Sequence, residues 1–210
     1  MLGTKVIEEK TSKFNGNLRV VRSLGMGTYI QSGGLTQSGG VVETIWKQTL
    51  RKIPNPKFQT PNCLILGLGG GTVAKLIRKK WQGAKISGVD IDPKIVELGK
   101  KYLGLSKQNL KIEIADVREY LFRVAGSNPK SYDLIIVDLY NGDQFPKEFE
   151  SKNYIHLMRT VLKGGGMIIF NRLYYGDKRP MAVRFGRKLE KIFNEVSWFY
   201  PEANLMFICK

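Results

Sequence analysis

Histidine occurs once in this chain and cysteine twice. With no CxxC pair and no histidine cluster, spacing offers no metal site, and two cysteines in 210 residues do not make a disulfide framework. Cys63 and Cys209 each lie in an apolar, strand-like run and read as reduced core residues, the usage of a cytoplasmic protein. The lone His156 falls inside a helix-period segment, where a structural or surface role is its simplest reading. Long apolar runs are also missing. None reaches the roughly 20 residues that cross a bilayer, and the opening MLGTKVIEEK has no signal-peptide core, so no membrane partner is expected. Acid is scarce too: 34 lysines and arginines face 18 aspartates and glutamates, a formal net charge of +16. So basic an exterior attracts polyanions, nucleic acid among them; a solvated lysine-rich surface accounts for the same count, and no base-stacking module accompanies it. A basic amphipathic segment over Met181–Phe193, carrying Arg184, Arg187, Lys188 and Lys191, admits both readings.

The most informative stretch runs from Cys63 to Asp92, CLILGLGGGTVAKLIRKKWQGAKISGVDID. An apolar run enters the cluster Gly67-Leu68-Gly69-Gly70-Gly71. A helix-period segment follows from Thr72 to about Trp81, and a second strand-like run ends on Asp90. Strand, glycine turn, helix, strand and acid make a βαβ unit suited to a nucleoside. Gly67, Gly69 and Gly71 let the backbone turn sharply and approach a ligand with no Cβ in the way. The start of the following helix is expected to offer N–H groups to a polar ligand. Asp90 stands 19 residues after Gly71, where a carboxylate can accept both ribose hydroxyls. Thr72 replaces the third glycine of the dinucleotide fingerprint, which speaks against a nicotinamide oxidoreductase.

Residues 1–40 alternate and turn, with strands expected over Val6–Glu9, Leu18–Arg22 and Thr28–Gln31. Val41–Ile53 has helical spacing and is stopped by Pro54 and Pro56, and 57–62 links it to the first core strand. Asp92 before Pro93 predicts a helix cap, and Asp116-Val117-Arg118-Glu119 a capping box. Further strands are expected at Leu110–Ala115, Leu134–Val137 and Met167–Phe170, with a helix over Ser151–Leu162 stopped by Gly164-Gly165-Gly166. Two closing strands, Glu195–Phe199 and Leu205–Cys209, are joined too tightly for a crossover and should pair antiparallel. Alternating strands and helices predict a doubly wound α/β sheet. The glycine turn, Asp90, Asp116 and Asp138 all fall at carboxyl ends of strands, the rim where such sheets bind ligands.

In GLGGGT, VDIDPKIVELGKKYL, ADVREYL, YDLIIVDLYNGDQFP and LKGGGMIIFN, this chain resembles the spermidine/spermine synthase family of the class I S-adenosylmethionine-dependent superfamily. The resemblance covers most of the chain. It implies a Rossmann-like sheet of seven strands with the last antiparallel, a small N-terminal β region over 1–40, a catalytic domain over 41–210, and a homodimer. It also implies roles. Gly67, Gly69 and Gly71 would line the amino-acid end of the cofactor, with Gln37 near that tail. Asp90 would hold the ribose, Ile91 would pack on the adenine, and Asp116 would accept from its amino group beside Val117. Asp138 would be the catalytic acid–base group, with Tyr140 in the acceptor pocket.

Departures from the family bear on the reaction. Its aminopropyltransferases carry an aspartate in the glycine turn, near Gly70 here, suited to a decarboxylated cofactor. A bare position suits the carboxylate of intact S-adenosylmethionine. The family's Tyr-His-Glu on the preceding helix appears as Ile45-Trp46-Lys47, and Asn141 stands near an expected acid. The expected function is therefore methyl transfer from S-adenosylmethionine to a small-molecule acceptor. The alternatives are polyamine aminopropyl transfer from decarboxylated S-adenosylmethionine and a non-catalytic nucleoside- or RNA-binding module.

Overall fold

The computed structural model describes residues 3–53 and 60–210. Pro54 and Pro56, expected to stop the helix, and the first half of the link after them lie outside the described residues. β1 (Thr4–Ser12), β2 (Gly16–Ser23), β3 (Gly27–Ser32) and β4 (Leu35–Gly39) form an antiparallel sheet in chain order. The sequence announces only the first three. Leu35-Thr36-Gln37-Ser38 carries little apolar alternation and is bracketed by glycines, so β4 is defined by its pairing with β3 rather than by propensity.

After α1 (Gly40–Lys52) the elements alternate: β5 (Asn62–Leu66), α2 (Thr72–Lys80), β6 (Lys85–Asp90), α3 (Pro93–Tyr102), β7 (Lys111–Ile114), α4 (Val117–Ser127), β8 (Tyr132–Val137), α5 (Lys152–Val161), β9 (Leu162–Leu173) and α6 (Lys178–Leu189). A closing hairpin, β10 (Val196–Phe199) and β11 (Asn204–Cys209), completes the chain. The seven-stranded sheet has the order β10-β11-β9-β8-β5-β6-β7. Pairing is parallel from β9 through β8, β5 and β6 to β7, while β11 is antiparallel to both of its neighbours. This is the doubly wound sheet the sequence implies. No helix among the described residues is long and apolar enough to cross a membrane.

Side-chain alternation along the central strands builds two cores. Cys63 and Ile65 of β5 and Leu134 and Ile136 of β8 pack with α1, α2 and α3. Leu64, Leu66, Ile135 and Val137 pack on the opposite face with α4, α5 and α6. Every residue of β8 is buried, as a strand covered on both faces requires. Leu18, Val20 and Ile30 of the N-terminal sheet join the first core, which seats that sheet over α1 and α3. Both cysteines are free and buried, and burial pushes the Cys63 thiol up to about 12.

One expected stop signal is corrected. α5 ends at Val161, and Leu162 is already extended, so Gly164–Gly166 lie inside β9 rather than ending the helix. The β8–β9 register shifts there, Tyr132 facing Leu162 and Leu134 facing Met167, which accommodates the extra residues.

α3 crosses close to the glycine turn. A Cβ on Gly99 would lie 2.5 Å from the Gly70 Cα. Gly99→Ala is expected to cost about 1–3 kcal/mol in urea unfolding. Gly126→Ala on α4, where a Cβ meets nothing within 4 Å, is expected to add about 0.5–1 kcal/mol.

Candidate active site

The site is built at the carboxyl ends of β5, β6, β7 and β8. β5 runs into the glycine turn, where Gly67 (φ 88°), Gly69 (φ 54°) and Gly71 (φ 87°) are left-handed. At Gly67 a Cβ would stand 2.1 Å from the Asp138 carbonyl oxygen, so only glycine lets the ends of β5 and β8 meet. The turn's N–H groups are used within the protein. Those of Gly67 and Leu68 donate to Val89 O, that of Gly69 to Asp90 Oδ2, that of Gly70 to Ser38 Oγ, and that of Gly71 to Leu68 O. The turn itself therefore offers a ligand bare backbone surface rather than unpaired N–H groups. Gly67 and Gly69 line the cavity beside it. Gly71 caps α2 and faces Leu105, so its role is packing.

Asp90, at the tip of β6, is buried. Its Oδ2 accepts from Gly69 N at 2.7 Å and its Oδ1 from Asp92 N at 2.9 Å. One further lone pair on each oxygen is available to ligand hydroxyls. Burial pushes its pKa up to about 6, against the pull of those two N–H groups, with the charges of Asp92 and Asp138 adding to the rise. Asp92 does more than cap α3 through Lys94 N. It is fully buried and accepts from Ser12 Oγ and Asn15 Nδ2, each at 2.6 Å. The β1–β2 turn is thus tied to Asp90 through Asp92.

Asp138 follows β8. Its Oδ2 accepts from Trp46 Nε1 at 2.8 Å and its Oδ1 from Asn171 Nδ2 at 2.7 Å. Burial raises its pKa, while Asn171 and then Trp46 favour the anion. The Asn171 side-chain oxygen accepts from Asn204 Nδ2 at 2.7 Å, which extends the network to β11. Sequence reasoning did not single out Asn171 or Asn204, and it marked Trp46 only as part of Ile45-Trp46-Lys47, the departure from the family's polar triad. Trp46 was also the indole in a helical stripe otherwise filled by Ile45 and Leu50. Tyr140 lines the same cavity, but its hydroxyl donates to Asn171 O and accepts from Leu173 N, so it fixes the loop to β9. Burial raises its pKa as well.

Asp116 caps α4 through Arg118 N at 2.8 Å and is paired with the Arg118 guanidinium, which holds its carboxyl below the usual range. It lines the cavity with Val117 and Ile91, and Ile91 is 41% exposed toward it. Gln37 of β4 reaches the same cavity, its Nε2 3.5 Å from Gly142 O. Of the residues singled out from sequence, all but Gly71 therefore border one cavity of about 420 Å³, within the usual range for a small-molecule site.

A family model described as the spermine/spermidine synthase domain matches residues 41–201. The chain belongs to the spermine/spermidine synthase domain family. Among curated proteins it is 26% identical over 176 residues to the eEF1A lysine and N-terminal methyltransferase of Mus musculus, covering 74% of this chain and 25% of that protein. It is 28% identical over 118 residues to the polyamine aminopropyltransferase of Vibrio vulnificus, covering 56% of this chain and 38% of that one. The chain thus spans about a quarter of the first relative's length and well under half of the second's. A solved spermidine synthase in complex with the transition-state analogue AdoDATO shares the fold, with a TM-score of 0.79 at 18% identity over 98% of this chain and 73% of that one.

Against the synthase family, two departures acquire a physical reason. A Cβ on Gly70 would meet Leu103, Ile30 and Ser38 at 2.8–2.9 Å, so this position is closed by packing. An acid missing at Gly70 is therefore no report on the charge of a cofactor tail. Trp46 stands where the family pattern places a polar triad, and its indole N–H meets Asp138 directly.

Asp90 predicts a pH signature. From the ordinary aspartate value up to about 6, the unfolded chain has lost this proton while the folded chain keeps it. Folding then takes up a proton, and stability falls as pH rises through that window, by about 3 kcal/mol in all. Urea titrations at stepped pH should show that fall in the wild type relative to Asp90→Asn, which lacks the group.

Proposed function

We propose that this chain is a group transferase that binds an S-adenosylmethionine-type cofactor and delivers a methyl group to an amine acceptor. The observation that carries the reading is the convergence of four strand ends on one cavity, with the glycine turn, Asp90, Asp116 and Asp138 all at its wall. The residues present fit the cofactor. Asp90 has spare lone pairs for two ribose hydroxyls, Ile91 and Val117 offer apolar contact for a base, and Asp116 can accept from its amino group. The backbone at Gly67 and Gly69 admits the amino-acid end without a Cβ. When bound, the cofactor supplies an alkyl group on a positively charged sulfur, already activated for transfer.

The chain's own task is positioning and proton handling. Asp138 takes the proton that an attacking amine must lose. Trp46 and Asn171 hold one carboxylate oxygen each, so the acid keeps a fixed orientation, while burial strengthens its hold on a proton beyond that of an exposed carboxylate. The cavity suits a cationic acceptor, because Arg118, the one cation lining it among the described residues, is already paired with Asp116.

Methyl transfer is supported by the similarity to the eEF1A lysine and N-terminal methyltransferase over 74% of this chain. Aminopropyl transfer is the second reading. It is favoured by the likeness to spermidine synthase over 98% of the chain, the N-terminal sheet included.

Incubation with S-adenosylmethionine or its decarboxylated form, with amine acceptors and detection of product by mass, separates the two. Transfer from intact S-adenosylmethionine is expected; product formed only from the decarboxylated form with putrescine overturns the methyl reading. Asp138→Asn should lower kcat by about 10²–10⁴ with cofactor Kd little changed. Asp90→Ala should weaken cofactor binding in calorimetry by roughly 10- to 100-fold.

A further inference from the structure

The two donors that hold Asp138 differ in one respect. Trp46 Nε1 on α1 can only donate, so its bond to Asp138 Oδ2 at 2.8 Å has one possible sense. Asn171 reaches Asp138 Oδ1 with an amide, which has a donating end and an accepting end of similar shape. Only the NH2 end suits a carboxylate. With the carbonyl end turned inward, oxygen would face oxygen, and Asp138 could hold that contact only by keeping a proton.

The far side of Asn171 decides which end is presented. In the antiparallel pairing of β9 with β11, Asn171 lies opposite Met206 and Asn204 opposite Leu173. Asn171 and Asn204 are therefore diagonal neighbours on one face of the sheet, and both are buried. Asn204 Nδ2 donates to Asn171 Oδ1 at 2.7 Å, the one hydrogen bond to that oxygen among the described residues. Asn204 is itself fixed. Its backbone N–H donates to Pro201 O at 3.0 Å, and Tyr174 N donates to Ala203 O beside it at 2.7 Å.

No cation shares this task. Against burial, which favours the protonated acid, Asn171 and Trp46 are the groups that favour the Asp138 anion. Asp90 and Tyr140 feel the charge of Asp138 without bonding to it. Arg172 beside Asn171 is paired with Glu150, Lys47 beside Trp46 is exposed, and Arg118 across the cavity is paired with Asp116. Glu148, Tyr175 and Glu202 also line the cavity.

We propose that Asn204 is a positioning residue for the transfer: by occupying the side-chain oxygen of Asn171, it keeps that amide's N–H toward Asp138 and so holds the acid, as an anion, ready to take the acceptor's proton. The inference rests on the transferase reading above. It adds a residue of the last strand that acts through Asn171 rather than on the reacting atoms.

The test labels aspartate with 13C at Cγ in the whole protein and follows Asp138 by NMR through a pH titration, its signal assigned by loss in Asp138→Asn. Asn204→Leu, of similar size but without a donor, should move the Asp138 midpoint up by about one pH unit. Asn204→Ala should move it the same way, and keeps the test open where the leucine variant does not fold. Asn171→Leu should raise the midpoint by itself, and adding Asn204→Leu to it should raise it no further, because the effect passes through that amide. In the methyl-transfer profile, the acidic limb of kcat should be displaced upward to the same extent. A midpoint unchanged in both Asn204 variants would overturn the proposal, whatever happens to Tm, because it would leave Asn204 a folding residue alone. A further rise in the Asn171→Leu background would overturn it as well. A wild type that transfers nothing from S-adenosylmethionine sinks the transferase reading itself, and the NMR titration does not depend on that result.

Discussion

The site depends on what the Asp90 carboxylate holds. One oxygen fixes Gly69 in the glycine turn and the other fixes Asp92 at the start of α3. Asp92 in turn holds Ser12 and Asn15 of the N-terminal hairpin. Three segments far apart in sequence are thereby knotted at the tip of β6. The knot costs desolvation of two neighbouring acids, and the raised pKa of Asp90 is its visible trace. A turn whose N–H groups were free would bind an anion. Here they are satisfied internally, so the surface left for a ligand is bare backbone, with carboxylates to either side.

The second constraint is the contrast between exterior and cavity. A body of charge +16 encloses a wall bearing Asp90 and Asp138, and its one lining cation among the described residues is neutralised by Asp116. Under the proposed transferase reading, long-range and short-range electrostatics would act with opposite sign on a cationic acceptor. The exterior governs encounter, and the cavity governs what is held. Trp46 and Asn171 show how the held acid is kept usable, since each donates to a different oxygen of Asp138 and neither brings a charge.

Much of this was legible in the sequence. Strand ends are marked by local chemistry: an apolar run, then glycines or an acid. The positions of Asp90, Asp116 and Asp138 at one rim followed from periodicity and the rule for parallel sheets. What stayed hidden were pairings made through tertiary contact. β4 has no strand-like pattern and exists because β3 is beside it. Thr72, conspicuous as a missing glycine, accepts from Gly39 N at 2.7 Å and so ties β4 to α2. Gly70 looked informative about cofactor charge, yet Leu103, Ile30 and Ser38 already fill the space around it. The Gly164–Gly166 run looked like a helix stop, but the strand pairing with β8 claims it.

The central claim is that separate strand ends act together on one small adenosine-bearing molecule. Hydrogen exchange read by mass spectrometry, with and without S-adenosylmethionine, tests it most directly. The account predicts that the ligand slows exchange together in the peptides that carry Gly67–Gly69, Asp90–Asp92 and Asp116–Val117, with the β1–β2 turn around Asn15 joining them through Asp92. Protection confined to one of these segments, or appearing only on surfaces away from the carboxyl rim of the sheet, would contradict it.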